Sequence, residues 1–342
     1  MGERGKDIMK IIALEEHIPL KTLSYALEKY PSEDAVRTAC ASSSELPYFP
    51  DMKLYCDVEK RISDMDKNGI SVQILSAPVC SGLLPKSEAA QVVKTANDEL
   101  AEIVKTHPDR FGAFAVLPWS DPNSAAKEFE RAVTKLGFKG AILAGRPTGS
   151  DAFLDDKQFA PVLEAAETLN APIYIHPAAP KTSVQKSYYD GLGDRLSARL
   201  SLYGWGWHHE AGIQLVRMIL SGVFEKYPNL QLIAGHWGEM VPFFLSRLDQ
   251  ALPKSVTKLT RSVTETFREN IYVTPSGIFD YPQLKFCIDT LREDRILHSV
   301  DFPFITNESA KSFLENAPVS EETKQKIAYL NAEKLLKSVK KD

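Results

Sequence analysis

Residues 159–177 read FAPVLEAAETLNAPIYIHP, and this short segment holds the unit from which the whole chain is built. Phe159–Leu169 carries apolar residues at helical spacing. Asn170 stands where a helix ends on a left-handed residue. Ile173–Ile175 is a β-branched and aromatic run, and it ends on His176 and Pro177.

The same unit recurs in both directions. Strands are predicted at Ile11–Leu14, Val72–Leu75, Phe111–Val116, Gly140–Leu143, Ile173–Ile175, Gln231–Ala234, Ile271–Thr274 and Ile296–Ser299. Amphipathic helices are predicted at Val58–Asn68, Ser87–His107, Ser124–Leu136, Phe159–Leu169, Glu210–Ser221, Val241–Leu252 and Tyr281–Leu291, with a last one at Glu321–Val339. Gly69 and Gly137 close helices as Asn170 does. Eight strands alternating with helices predict an α/β fold of (β/α)8 TIM-barrel type, one domain over residues 1–342 with 1–10 as a flexible lead. An open doubly wound sheet competes, but no GxGxxG follows a strand. Two stretches exceed a bare barrel, Ile18–Asp57 after strand 1 and Ala178–Gly204 after strand 5. Neither shows a regular period, and both belong to the face where barrels build their sites.

Composition narrows the function classes. The chain has 41 basic and 45 acidic residues for a net charge of −4, which argues against nucleic acid or an anionic membrane as partner. No stretch of about 20 apolar residues is present to span a membrane. Cys40, Cys56, Cys80 and Cys287 form no CxxC pair and read as reduced thiols of a cytoplasmic enzyme.

The chemistry lies at the strand ends. Strand 1 runs into Glu15-Glu16-His17, where alternation puts Glu15 and His17 on one side and Glu16 on the other. Strand 5 delivers His176, strand 6 delivers His236 and Glu239, and strand 8 delivers Asp301. A lone histidine or aspartate at such a place is ordinarily a hydrogen-bonded structural residue. Several converging on one barrel mouth would stay unpaired or repel unless a cation or a substrate satisfied them. Histidine and carboxylate ligands without thiolate suit zinc, manganese or magnesium. His208 and His209 are adjacent at a helix start, so their side chains diverge and do not share one ion.

The segments Ala13–His17, Tyr174–Pro177, Ala234–Glu239, Thr274–Gly277 and Ser299–Pro303 resemble the amidohydrolase superfamily. The resemblance is to its decarboxylase branch, which includes γ-resorcylate, 2,3-dihydroxybenzoate, salicylate and 5-carboxyvanillate decarboxylases, and more distantly to aminocarboxymuconate-semialdehyde decarboxylases. It implies one divalent metal ion per chain on Glu15, His17, His176 and Asp301. It also implies His236 beside the substrate, Glu239 hydrogen-bonded to it, and Arg247, Trp205 and Ser276 as substrate contacts. The Glu-x-His of strand 1 is nearer the hydroxybenzoate enzymes than the semialdehyde ones. Ser76 stands where γ-resorcylate enzymes carry Asn.

The reaction so implied is non-oxidative decarboxylation of a hydroxylated aromatic acid, with Asp301 as the proton donor. Metal-dependent hydrolysis of a lactone or amide, with His236 activating water, is the second reading. A protein that binds ligand without catalysis is the third. The resemblance further implies a homodimer or homotetramer, and Tyr25, Tyr30, Tyr48, Phe49, Tyr188 and Tyr189 in the two long loops are candidate contact residues.

Overall fold

In the computed structural model, residues 9–30, 57–77, 81–147 and 152–340 are described. Cys40, Cys56, Cys80, Tyr48, Phe49 and most of the 1–10 lead lie outside them.

The strands are β1 (Ile12–His17), β2 (Val72–Ser76), β3 (Phe111–Ala113), β4 (Ala115–Val116), β5 (Ala141–Ala144), β6 (Ile173–His176), β7 (Leu232–Ala234) and β8 (Ile271–Val273). Every pairing is parallel, in the orders β1-β2-β3 and β4-β5-β6-β7-β8. β3 and β4 are the predicted third strand, interrupted at Phe114, whose N–H donates to Leu75 O while the Ala115 N–H donates to Gly140 O. The circuit is completed by residues 296–302. Ile296 bridges Val273 of β8, while His298 and Phe302 bridge Ala13 and Glu16 of β1. The eighth predicted strand therefore exists as isolated bridges rather than a regular ladder. Its backbone leaves the extended region at Asp301, where φ is +66°.

The barrel interior is filled by Ile12, Leu14, Ile74, Phe114, Ile142, Tyr174, Ile233, Tyr272 and Leu297, and Leu335 and Leu336 of the terminal helix close it from below. A larger apolar layer packs the helices around the outside. The predicted helices Val58–Asn68 and Tyr281–Leu291 have those bounds, and Gly69, Gly137 and Asn170 take φ values of +69°, +74° and +52°.

Other expectations need correction. Ile18–Asp57 contains a helix at Lys21–Lys29, and Ala178–Gly204 contains two, Thr182–Tyr188 and Asp194–Ser201. Their short lengths left too few turns for the apolar period to register. The single helix predicted over Glu321–Val339 is α-helical at Glu321–Gln325 and Asn331–Lys337, with a π-helical turn at Lys326–Leu330 between them. No helix among the described residues is long and apolar enough to cross a membrane.

Candidate active site

The site begins with an irregularity in β1. Ala13 pairs with Gln73 and Glu16 with Leu75, so three residues of β1 span what two of β2 span. One extra residue in a strand reverses the facing of everything beyond it. Ile12 and Leu14 point into the barrel, and strict alternation from them would carry Glu16 inward. The bulge turns Glu15 and His17 inward instead. Glu16 goes to the outer side, where it accepts from Gln73 Nε2 at 3.2 Å and from the Val300 N–H at 2.9 Å. Arg61, fully buried there, donates to Gln73 Oε1 at 2.9 Å and to the carbonyl of His17. This outer network ties the two chain segments that carry His17 and Asp301.

On the inner side, Glu15, His17, His176 and Asp301 each present a ligand atom, and these atoms lie within 4.8 Å of one another. His17 Nε2 lies 3.0 Å from Asp301 Oδ1, and His176 Nε2 lies 3.5 Å from Glu15 Oε1. Yet Glu15 Oε1 and His17 Nε2 are buried without a hydrogen bond. Buried polar atoms left so are rare and costly, and a cation between them would satisfy both. The remaining atoms of the same side chains are fixed from behind. His17 Nδ1 meets Ser76 Oγ at 3.1 Å, His176 Nδ1 donates to Pro177 O at 2.7 Å, and Glu15 Oε2 accepts from Tyr174 OH at 2.6 Å. Partners of this kind fix the tautomer and orientation of metal-binding side chains. Burial holds His17 at a pKa of about 4 and His176 well below the usual histidine range, so both imidazoles are neutral and have a lone pair to give. The four residues fit a divalent metal ion.

Beside them stands a second group. His236 Nδ1 and His208 Nδ1 each lie 2.8 Å from an oxygen of Glu239, one on Oε1 and the other on Oε2. Burial pulls the His236 pKa down, but the charge of Glu239 and the hydrogen bond to it outweigh burial and raise it to about 9. Burial raises Asp301 to about 7 against the pull of His236 and His208. Burial likewise raises Glu15, chiefly against His236. Of the nine non-glycine residues with positive φ among the described residues, six are His236, Trp237, Glu239, Met240, Ser276 and Asp301. Strained backbone concentrated in this way is characteristic of sites whose geometry is imposed by the surrounding structure.

The sequence model of the amidohydrolase family matches residues 54–337. The chain belongs to this amidohydrolase family. The γ-resorcylate decarboxylase of Polaromonas sp. is 36% identical over 291 residues, covering 82% of this chain and 87% of that protein. The 5-carboxyvanillate decarboxylase of Sphingomonas paucimobilis superposes with a TM-score of 0.86 at 30% identity, covering 96% of this chain and 99% of that one. A dihydroxybenzoic acid decarboxylase from Polaromonas sp., solved with bound manganese and the inhibitor 2-nitroresorcinol, gives 0.81 at 33% identity, covering 96% and 97%.

The remaining candidates of this amidohydrolase are placed as follows. Ser276 is buried, and its hydroxyl lies 2.8 Å from Thr274 Oγ1 and 3.2 Å from both Ser299 Oγ and Tyr174 OH, a hydroxyl cluster behind Glu15. Trp205 precedes the helix Gly206–Leu220 and is 49% exposed. Arg247 lies on the solvent side of the helix Val241–Ala251 and donates to Gln250 Oε1 at 2.7 Å. Among the described residues no contact brings it to the metal-binding group, and Asp249, two positions on, is engaged by Ser262 and the Thr264 N–H instead.

Several supporting residues escaped the sequence reading. Tyr174 could have been found, because it shares a face with His176 two residues on. Ser76 differs from relatives in the sequence, but nothing there marks it as the partner of His17. His208 stands out in the sequence only beside His209, and its contact with Glu239 has no sequence signal because only the packing of its helix makes it.

Proposed function

We propose that this protein is a divalent-metal-dependent carboxy-lyase acting on a benzoic acid with a hydroxyl ortho to its carboxylate. The observation that carries the proposal is the placement of Asp301, whose carboxyl lies 3.0 Å from His17 Nε2 among the four converging ligand atoms, at the mouth where a substrate would meet the metal. The relatives named above support it, being decarboxylases of hydroxylated aromatic acids.

A metal ion bound by Glu15, His17, His176 and Asp301 would supply Lewis acidity and a template for the substrate oxygens. Manganese is the first metal to test, as the one bound in a relative. The protonated carboxyl of Asp301 gives its proton to the ring carbon that bears the carboxylate. Aromaticity is broken, the carbon–carbon bond cleaves, CO2 departs with the carboxylate carbon, and the bonding pair restores the aromatic ring. Asp301, left ionised, takes a proton from water before the next turnover. His236, held by Glu239 and cationic near neutral pH, places positive charge opposite the substrate oxygens. Trp205 is proposed as an aromatic wall and Ser276 as a support behind Glu15.

The single barrel domain is proposed to work as a homo-oligomer in the cytoplasm. Exposed Tyr25 and Tyr188 support the oligomer, as do the contiguous exposed rings of Phe243, Phe244 and Phe286. A monomer by light scattering at micromolar concentration contradicts it.

The test is CO2 release from a panel of ortho-hydroxybenzoates by the manganese-loaded enzyme and two variants. Asp301→Asn should retain metal and lose turnover by roughly 10³-fold, since the amide has no titratable proton to give. His236→Asn should be the milder lesion. Hydrolysis of lactones or amides with both variants equally inactive would select the hydrolytic reading. Near-normal CO2 release by metal-loaded Asp301→Asn would remove the proton-donor role.

A further inference from the structure

The described residues hold one histidine at the mouth that the proposed chemistry does not use. His208 is outside the group Glu15, His17, His176 and Asp301, yet its Nδ1 lies 2.8 Å from Glu239 Oε2. Glu239 is buried, and its other oxygen lies 2.8 Å from His236 Nδ1. One carboxylate is thus held by two imidazoles, whose rings stand 4.4 Å apart at 63°.

We propose that His208 is a positioning residue, which fixes the Glu239 carboxylate and through it the imidazole of His236. The backbone around Glu239 cannot do this alone. His236, Trp237, Gly238 and Glu239 all have positive φ, so the turn has no continuous helical ladder to set the direction of the Glu239 side chain. What sets it is the neighbouring helix Gly206–Leu220. A Cβ on Gly212 would come within 2.6 Å of Glu239 O, so this helix lies directly on the turn at Gly212. His208 is one turn earlier on the same helical face, four residues away. The close approach at Gly212 therefore brings the His208 ring against the carboxylate. Its far edge is held too. Nε2 accepts from the Trp207 Nε1–H at 3.0 Å.

The arrangement also defines what Glu239 offers. Each of its oxygens faces an imidazole Nδ1, so Glu239 holds His236 and His208 together, and His236 faces the substrate. Charge and hydrogen bonds from His236 and His208 outweigh the effect of burial and hold the Glu239 pKa below the usual range, as a permanently ionised orienting group requires. A second metal ion among His208, His236 and Glu239 is the competing use of these atoms, which lie close enough together for one. Both Nδ1 contacts already have ordinary hydrogen-bond length, so an ion is not needed to satisfy them.

The proposal takes its assay, but not its geometry, from the decarboxylase reading. The experiment compares the manganese-loaded parent with His208→Phe and His208→Asn, whose amide N–H can replace Nδ1–H toward Glu239. Three quantities are measured, namely steady-state CO2 release over a pH range, metal content, and, with diamagnetic zinc in place of manganese, the imidazole N–H resonances of 15N-histidine-labelled protein. His208→Phe should lower kcat about 10-fold, the scale of lost second-layer support, with KM within about twofold and metal content unchanged. It should also displace the Nδ1–H resonance of His236 and shift a limb of the pH profile. His208→Asn should recover most of the kcat and the parent pH profile. If neither parent nor variant releases CO2 from any hydroxybenzoate, the decarboxylase reading fails while the resonances still test His208. An unmoved His236 resonance in a folded His208→Phe protein overturns the proposal. So does a raised KM with kcat intact, which would make His208 a substrate contact, or two metal ions per chain in the parent.

Discussion

The two ends of this barrel are made from the same strands and differ in almost every physical respect. Along five of the eight predicted strands the inward residue changes character within two positions. Ile74 gives way to Ser76, Tyr174 to His176, Ile233 to Gly235, Tyr272 to Thr274, and Leu297 to Ser299. Below that step the interior is apolar and closed by Leu335 and Leu336. Above it lie buried carboxylates with raised pKa, imidazoles with lone pairs, and six of the strained residues. The floor meets the demands of stability, and the mouth departs from them where a ligand would be held. Tyr174 joins the two, with its ring in the floor and its hydroxyl on Glu15.

Substitutions at the two ends should therefore have opposite consequences. Phe114→Ala, in the floor, should cost about 3–5 kcal/mol of stability by leaving a cavity, while metal affinity at a temperature where the variant is folded stays near the parent's. Thermal or urea denaturation with metal titration checks both. A large loss of metal affinity in the folded variant would mean that the ends are not separable.

His298 sharpens the contrast from the outer layer. It is fully buried beside Phe279, both ring nitrogens lack a partner, and burial lowers its pKa to about 3. An unfolded chain protonates this histidine near 6.5, so between about 6.5 and 3 the unfolded state binds the extra proton and stability falls as pH falls. Replacing it by Phe should flatten that acid limb by a few kcal/mol over the window. Parallel denaturation curves of parent and His298→Phe from pH 7 to pH 4 would contradict this.

At the mouth, Glu15→Gln should weaken metal binding by more than about 100-fold, beyond the range for residues that only support a ligand. The metal-free protein should melt no lower than the metal-free parent, because a buried charge has been removed. Ser76→Ala, which deletes the partner of His17 Nδ1, should have the smallest effect, about 10-fold in metal affinity. Calorimetric titration with manganese ranks the two, and a Ser76→Ala effect equal to that of Glu15→Gln would break the distinction between ligand and support.

What the sequence made legible follows from the same contrast. Alternating strands and helices, glycine stops and apolar faces are local signals, so the barrel could be read from runs of ten to fifteen residues. The strand-end positions of His176, His236 and Asp301 were legible for the same reason. The facing of Glu15 and His17 came out correctly, but the bulge that causes it was invisible, because it depends on how β1 pairs with β2. Arg247 is legible as a motif residue, and within one chain the helix bearing it buries Val241, Pro242 and Leu245 and presents Arg247 on its outer side. The His208–Glu239 contact depends on the packing of Gly212 against a turn, a relation that no periodicity in the sequence reports.

The most direct test of the account is CO2 release from ortho-hydroxybenzoates by protein stripped with a chelator and then reloaded with manganese. Stripped enzyme should be inactive, one equivalent of metal per chain should restore turnover, and a para-hydroxybenzoate lacking the ortho hydroxyl should remain inert. Undiminished CO2 release by fully stripped enzyme would contradict the assignment of Glu15, His17, His176 and Asp301 as the metal centre on which the reaction depends.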